Sequence, residues 1–296
     1  MSEWDGKSKG GLLGYKIFVY CIKNLGIRPS YFVLYFVALY YFLFFKKTNR
    51  ATFYYFHERL GYSYLKAKKH VYRSYYTFGQ TLIDKIAISA GLREKFTYEF
   101  DGIENLKGLL AQKTGGVLIS AHIGNFEIAE YFLCDLNTDL TINMVISDME
   151  HRSIRQYLDS ISSETTVKFI VISEDLSHIY QINNALANNE LICFTGDRYL
   201  EGVKYLIMPL LDKDANFPAG PFLIASRLKV PVVFVYVMKE KNLHYHLFAR
   251  TAEVKYRDEK GLLKAYIESV ESMLRRYPVQ WFNYFDFWGM FHKKAN

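Results

Sequence analysis

Short runs of β-branched and apolar residues alternate with helical patterns through the middle of the chain. Each run is hydrophobic along its whole length, which is typical of strands that are covered by helices on both faces. Helical segments between strands favour parallel pairing, because a parallel connection needs a long crossover. The sequence therefore predicts an α/β fold with a mainly parallel central sheet flanked by helices. The predicted strands are residues 117–121, 141–147, 167–173, 191–195, 230–237 and 243–249, and the predicted helices between and after them are residues 125–133, 152–163, 176–187, 218–228 and 262–276.

The N-terminal region differs from the rest of the chain in charge. Residues 1–75 carry 13 Lys and Arg against 3 Asp and Glu, whereas residues 76–296 carry 24 against 27. The longest apolar run is residues 31–45, which would make roughly 22 Å of helix, short of the roughly 30 Å hydrocarbon core of a bilayer. We expect residues 1–50 to form a shallow or hairpin-like membrane-associating segment and residues 51–296 to form the α/β domain. A buried core helix is the alternative for the apolar run.

Charge and cysteine content limit the partners of the chain. The basic N-terminal region suits an anionic membrane surface, and the chain contains no zinc-finger spacing, recognition-helix pattern or aromatic RNA-binding motif that would indicate nucleic acid. Cys21, Cys134 and Cys193 are far apart and form no CxxC pair, so we predict buried thiols rather than a disulfide or a zinc site. His244 and His246 share one face of a predicted strand but lack a further ligand, so no metal site is predicted.

One histidine occupies the position of a catalytic group in this architecture, directly after an apolar strand and before a helix. This residue is His122, and Glu127 follows it by five positions, too far round a continuous helix to share its face. A turn at Gly124 and a helix start at Asn125, a good cap residue, would let Glu127 reach back to the imidazole. A carboxylate on one ring nitrogen leaves the other free to accept a proton. His122 and Glu127 are therefore predicted to activate an external nucleophile; a turn histidine beside a solvated glutamate is the alternative.

Further blocks follow this histidine in a defined order. They are Arg152 and Arg155 after the next predicted strand, Gly196-Asp197-Arg198 after a buried strand, residues 217–221 before a helix, and residues 278–282 near the end. Together with the aromatic N-terminal segment and the His122 block, this order resembles the lysophospholipid acyltransferase superfamily with its H-x4-(D/E) motif. The resemblance is closest to the lipid A late acyltransferase branch, the lauroyl and myristoyl transferases, which uses Glu in that motif.

The resemblance implies a glycerolipid acyltransferase-like fold and a specific reaction. A hydroxyl or amine of a lipid or glycolipid would attack an acyl thioester while His122 takes its proton, with no metal or bound cofactor. The donor would be acyl carrier protein or coenzyme A carrying the acyl group. The arginines would hold phosphate, since guanidinium groups match phosphate oxygens, and Asp197 would position a substrate or a neighbouring arginine. The implied substrate-binding residues are Asn125, Arg152, Arg155, Asp197 and Arg198.

The resemblance also implies a location and partners. Membrane lipids and acyl carrier protein would be the partners, at the cytoplasmic face of the bacterial inner membrane. Phe126 stands where the lipid A branch usually has Trp, so the acceptor stays open between a lipid A precursor, another glycolipid, an aminolipid and a polyene-type lipid. Two other functions remain alternatives: a non-catalytic lipid-binding protein of the same fold, and an acyl thioesterase in which the same base activates water.

Overall fold

The computed structural model of the protein describes residues 20, 22, 24, 26–133, 140–147, 167–173, 175–199 and 202–290. Its strands are β1 (Thr97–Asp101), β2 (Gly116–Ser120), β3 (Ile142–Ser147), β4 (Val167–Ile172), β5 (Leu191–Thr195), β6 (Tyr205–Leu210), β7 (Lys213–Pro218), β8 (Val232–Lys239) and β9 (His244–Ala252). Seven of these described strands form one sheet in the order β1-β9-β8-β2-β5-β3-β4. All neighbours in it pair in parallel except β8 and β9. The predicted α/β class with a mainly parallel sheet is confirmed.

The α-helices are Ile27–Phe44, Lys46–Tyr54, Tyr64–Ala87, Ile103–Ala111, Ala129–Leu133, Ser177–Ala187, Ala219–Ala225 and Glu259–Arg276. The predicted strands and helices between residues 117 and 276 are confirmed with ends shifted by up to four residues. The exception is the predicted helix 152–163, which lies outside the described residues. The boundary between residues 1–50 and 51–296 stays a prediction, and the helix Lys46–Tyr54 runs across it.

Three strands of the fold, β1, β6 and β7, were not among the predicted strands. The antiparallel hairpin of β6 and β7 occupies a stretch that the sequence indicates as an irregular loop. The edge strand β1 precedes the helix Ile103–Ala111. β1 alternates polar and apolar residues, so it lacks the continuous hydrophobic run by which the buried strands are recognised. β6 does contain an apolar run, but its alternate side chains are exposed.

The centre of the sheet brings two fully apolar strands together. All five residues of β2 are buried, and four of the five residues of β5 are buried beside them. The two strands pair in parallel, with Gly116 opposite Leu191 and Ser120 opposite Thr195. Residues that follow these strands therefore leave the sheet at the same edge, which is the usual location of a ligand site in an open α/β sheet.

The apolar helix Ile27–Phe44 is longer than the sequence predicts, 18 residues or roughly 27 Å. It begins before Arg28 and Pro29, because a proline in the first turn removes an N–H that has no partner within the helix. Of the helices in the described ranges, this is the one that is long and apolar enough to cross a membrane, and 22% of it is buried. Its buried stripe consists of Ile27, Ser30, Leu34 and Ala38.

Candidate active site

His122 and Asp197 meet beyond the carboxyl ends of the two central strands. Ser120 and Thr195 end β2 and β5 and lie opposite each other, so the residues two positions further on emerge side by side. Nδ1 of His122 lies 2.7 Å from Oδ1 of Asp197. The backbone N–H of His122 donates to both oxygens of the same carboxylate at 3.1 Å. One carboxylate therefore fixes both the ring and the backbone of this histidine.

The surroundings of Asp197 keep its carboxylate ionised. Trp281 Nε1 donates to Oδ2 at 3.3 Å and Asn283 Nδ2 donates to the same oxygen at 3.1 Å. Burial alone would raise the pKa of the Asp197 carboxyl, but the charge and the hydrogen bonds of His122 outweigh it and lower the pKa to about 2. An ionised Asp197 accepts from Nδ1–H, which leaves Nε2 as the ring nitrogen that can take a proton.

The loop that carries His122 is fixed by main-chain hydrogen bonds. Gly124 N donates to Gln280 O at 2.8 Å, and Phe282 N donates to His122 O at 3.0 Å. Gly124 has a φ of +67°, and a Cβ at this position would lie 2.1 Å from the carbonyl oxygen of Val237. The turn predicted at Gly124 is confirmed, and only glycine fits there because any side chain would collide with β8.

Asn125 has a different role from the predicted helix cap. Its side chain makes no capping bond to the 3₁₀ turn Phe126–Ile128, which precedes the helix Ala129–Leu133. Instead the buried amide donates to Thr81 O at 3.0 Å and to Tyr245 Oη at 3.4 Å. The capping expectation is thus wrong: the Asn125 oxygen accepts no bond from the turn, and the amide is bonded to neighbouring elements instead. A substrate contact of Asn125 stays a prediction.

The predicted contact between His122 and Glu127 stays a prediction. Glu127 lies in the 3₁₀ turn after the Gly124 turn, and its side chain is outside the part of the chain that the structure describes. A carboxylate contact to one ring nitrogen, of the kind that the sequence suggests for Glu127, is made at Nδ1 by Asp197. Arg152 and Arg155 also lie outside the described residues.

Arg198 supports the segment that covers the histidine. Its Nε donates to Asn283 Oδ1 at 2.7 Å, and its Nη2 donates to Phe282 O at 2.8 Å. Asn283 also donates to Asp197, so its side chain connects the Arg198 guanidinium to the Asp197 carboxylate by hydrogen bonds. The phosphate contact predicted for Arg198 is not tested by this geometry. Sequence reasoning gave no role to Trp281 or Asn283, although the tail block 278–282 was the signal that pointed to this segment.

Comparison with known protein families identifies the chain. The family model described as bacterial lipid A biosynthesis acyltransferase matches residues 17–289. The chain belongs to this family. The match includes the apolar helix and every predicted site residue, which confirms the resemblance seen in the sequence. Comparison with the curated proteins found no match.

This lipid A acyltransferase family member contains a polar cavity at the site and a separate apolar crevice. The polar cavity, of about 140 Å³, borders Asp197 and includes Tyr199, Asp214, Asn216 and Asp286 in its lining. The apolar crevice is lined by Phe126, which follows the loop that carries His122, and by residues of the central strands. Its lining includes Leu118, Phe126, Ala129, Met144, Cys193 and Val235.

The remaining cysteine and histidine predictions concern residues outside the candidate active site. Cys193 is buried, as predicted, and burial raises the pKa of its thiol to about 12, so it acts as a packing residue. Cys21 and Cys134 are outside the described residues. His246 Nδ1 lies 3.0 Å from Glu99 Oε1, and His244 Nδ1 lies 2.8 Å from Thr97 Oγ1. Within the described ranges, no cluster of three or more His, Cys, Asp and Glu could hold a metal ion.

Proposed function

We propose that this family member is a membrane-associated acyltransferase with His122 as its general base. It moves a fatty acyl group from an acyl thioester to a hydroxyl or amine of a lipid A-type or related lipid. The observation that carries the proposal is the His122–Asp197 pair at the carboxyl edge of the sheet. A histidine held in this way can accept a proton from an acceptor hydroxyl or amine, and this step requires no serine or cysteine nucleophile.

The proposed step balances with the groups at hand. Nε2 of His122 removes the proton from the acceptor hydroxyl or amine as its oxygen or nitrogen attacks the thioester carbonyl carbon. Asp197 stabilises the imidazolium that forms, through the hydrogen bond to Nδ1. The tetrahedral intermediate then expels the thiolate, which takes the proton from Nε2 and leaves as a thiol. The product is an ester or an amide, and the step needs no metal or bound cofactor.

Glu127 is kept in the proposal because it is the acidic residue of the H-x4-(D/E) motif. Because Nδ1 is hydrogen-bonded to Asp197, a contact between Glu127 and the ring would be made at Nε2. Without such a contact, Glu127 would act on the acceptor. Two carboxylates would then serve one histidine, Asp197 by holding it and Glu127 on the substrate side. Separate substitution of each carboxylate distinguishes these roles.

Substrate binding is proposed from the apolar crevice and the basic residues. Phe126 lines the crevice, and its ring lies 6.4 Å from the His122 ring, so we propose that the acyl chain extends from the reacting carbonyl into the crevice. We propose acyl carrier protein as the donor, with coenzyme A as the alternative. Arg152, Arg155 and Arg198 are the proposed phosphate contacts on the donor or acceptor.

A position at the cytoplasmic face of the bacterial inner membrane is proposed from the apolar helix. Large apolar side chains cover its outer surface, and Lys46, Lys47 and Arg50 follow it as exposed basic residues. Such residues each add about 1 kcal/mol of attraction to an anionic leaflet, while the rings enter its interface. The exposed apolar side chains are Phe32, Val33, Tyr35, Phe36, Leu39, Tyr40, Leu43 and Phe44.

Replacing Phe32 and Phe36 together by aspartate is expected to lower binding to anionic vesicles at least about tenfold, because burying each ring contributes roughly 1.5–3 kcal/mol. The two rings are 64% and 62% exposed, so folding should be unaffected. Flotation of the purified protein with phosphatidylglycerol vesicles measures the bound fraction. Tyr180→Asp, at an exposed position on the helix Ser177–Ala187, is the matched control and should float like wild type. Unchanged flotation of the double variant would rule out this helix as the anchor.

Comparative lipid mass spectrometry tests the function itself. Cells lacking the gene should accumulate a lipid that is one acyl chain short, and the wild-type gene should restore the chain. The mass of that lipid identifies the acceptor. An unchanged lipid profile would support the non-catalytic lipid-binding alternative. Fatty acid released by the purified protein at one rate with and without the acceptor would support the thioesterase alternative.

A further inference from the structure

A buried ion pair lies between the apolar helix and the loop of residues 122–125, which carries His122 and which we call the catalytic loop. Asp84, on the helix Tyr64–Ala87, accepts from Lys239 Nζ at 2.6 Å, and both side chains are buried. Tyr31 of the apolar helix donates its hydroxyl to Asp84 and accepts from Lys239 Nζ at 3.0 Å. Tyr245 donates at 2.5 Å to Oδ2 of Asp84, the oxygen that also accepts from Lys239. We call these four residues the Asp84 network.

One path from this network leads through side chains to the loop that holds His122. The Tyr245 hydroxyl, bonded to Asp84, also accepts from Asn125 Nδ2 at 3.4 Å. Asn125 follows His122 by three positions, and its backbone N–H donates to Val237 O at 2.7 Å. The orientation of this amide therefore depends on where Asp84 holds the tyrosine hydroxyl.

A second path leads through the end of β8. The side chain of Gln280 accepts from Lys239 N at 2.9 Å and donates to Lys239 O at 2.8 Å. The backbone oxygen of Gln280 in turn accepts from Gly124 N at 2.8 Å. Both paths thus end at neighbouring residues of the loop, Gly124 and Asn125.

The proposed chemistry uses neither Asp84 nor Lys239. A buried ion pair loses much of its Coulombic attraction to the cost of desolvation, so its net contribution to stability is commonly small. Its best attested use is to fix one geometry among alternatives. Tyr31 joins the pair from the helix with the exposed aromatic surface, and Leu34 of that helix shares a buried core with Ile128 after the catalytic loop.

We propose that the Asp84 network positions the catalytic loop and couples its geometry to the seating of the apolar helix on a lipid surface. Tyr31, Asp84 and Lys239 are positioning residues, since they act on His122 only through the loop. A membrane that holds the apolar helix in place would thereby align Nε2 with the acceptor. The coupling to catalysis rests on the proposed function, whereas the coupling to loop geometry does not.

Tyr31→Phe tests the network with the smallest change, because it keeps the ring and removes the hydroxyl that touches both charges. On anionic vesicles of phosphatidylglycerol we expect kcat to fall about tenfold, with KM for the acyl thioester changed less than about twofold. In the wild-type protein, vesicles should slow amide hydrogen exchange at Gly124 and Asn125. In Tyr31→Phe this exchange should be faster, and vesicles should no longer slow it. Tyr41→Phe is the matched control, since this tyrosine is on the same helix and packs its ring on Tyr75. It should behave as wild type in each measurement.

A double substitution, Asp84→Asn with Lys239→Met, tests the pair without leaving a lone buried charge. We expect a folded protein with the same loss of kcat and the same faster exchange in the loop. Wild-type kcat and exchange in Tyr31→Phe would overturn the proposal, as would a loss of folded protein in both variants with no change in the kcat of the folded fraction. If the wild-type protein transfers no acyl group, the proposed function fails, and exchange at Gly124 and Asn125 still decides the positioning role.

Discussion

Alanine in place of His122 is expected to reduce acyl transfer by about 10²–10⁴-fold, the usual contribution of a positioned general base. The substitution removes the imidazole that Asp197 holds, and with it Nε2, the proposed proton acceptor. The protein should remain folded, because the Asp197 carboxylate keeps its bonds from the backbone N–H of residue 122, Trp281 and Asn283. Single-turnover transfer from an acyl thioester to the purified acceptor lipid measures the loss.

The matched control for this substitution is His178→Ala. His178 is also a mostly buried histidine, on the helix Ser177–Ala187, and its Nδ1 accepts from Ser173 N at 3.3 Å. Its loss should lower thermal stability without changing the transfer rate of the folded protein. Retention of more than about a tenth of the wild-type rate by the His122→Ala protein contradicts a general-base role of the usual size.

The sequence predicts the position of His122 at the edge of the sheet, because that position follows from a single strand. Residues 117–121 are apolar without interruption, which marks a buried strand, and a histidine directly after it must emerge at the carboxyl edge. The same reasoning finds the strands around it. It does not reach β1, where polar and apolar residues alternate, or the β6–β7 hairpin, which forms a separate two-stranded sheet.

The partner of His122 could not be identified from spacing, because it depends on strand order. Asp197 lies 75 positions further along the chain and meets the histidine only because β5 pairs with β2. Gly196, the residue before Asp197, reflects the close packing at this point. A Cβ there would lie 2.9 Å from Tyr266 Cζ and 3.0 Å from Phe222 Cζ. Neither neighbour is near in sequence. The motif therefore directs attention to Glu127, while the fold supplies Asp197.

Asp197→Asn is expected to lower kcat by roughly 10²–10³-fold with a small change in KM. The neutral amide no longer stabilises the imidazolium, and its NH₂ group can donate to Nδ1, which moves the ring proton to Nε2 and removes the base. Steady-state kinetics with an acyl thioester donor measures kcat and KM separately. Asp286→Asn is a matched control at another buried aspartate that borders the polar cavity but does not contact His122 in the described structure.

The free energy of unfolding should depend on pH through the ionisation of the Asp197 carboxylate. The pKa of Asp197 is about 2 in the folded protein, below its ordinary value of 3.8. A lowered pKa means that the ionised group stabilises the fold fully above its unfolded pKa, and that this contribution is lost as pH falls from about 4 to about 2. Urea unfolding midpoints of wild type should therefore fall towards those of Asp197→Asn over this interval. A difference that stays constant with pH would contradict the ionised, histidine-paired state.

Glu127→Gln, measured beside Asp197→Asn, decides which carboxylate orients the base. If Asp197 holds the ring and Glu127 acts on the substrate side, both variants lose kcat, but only Asp197→Asn changes the ¹⁵N chemical shift and tautomer of His122. The Nδ1–Oδ1 distance of 2.7 Å makes that spectroscopic change the more direct consequence. A wild-type His122 tautomer in Asp197→Asn, together with an altered one in Glu127→Gln, would assign the orienting role to the motif glutamate.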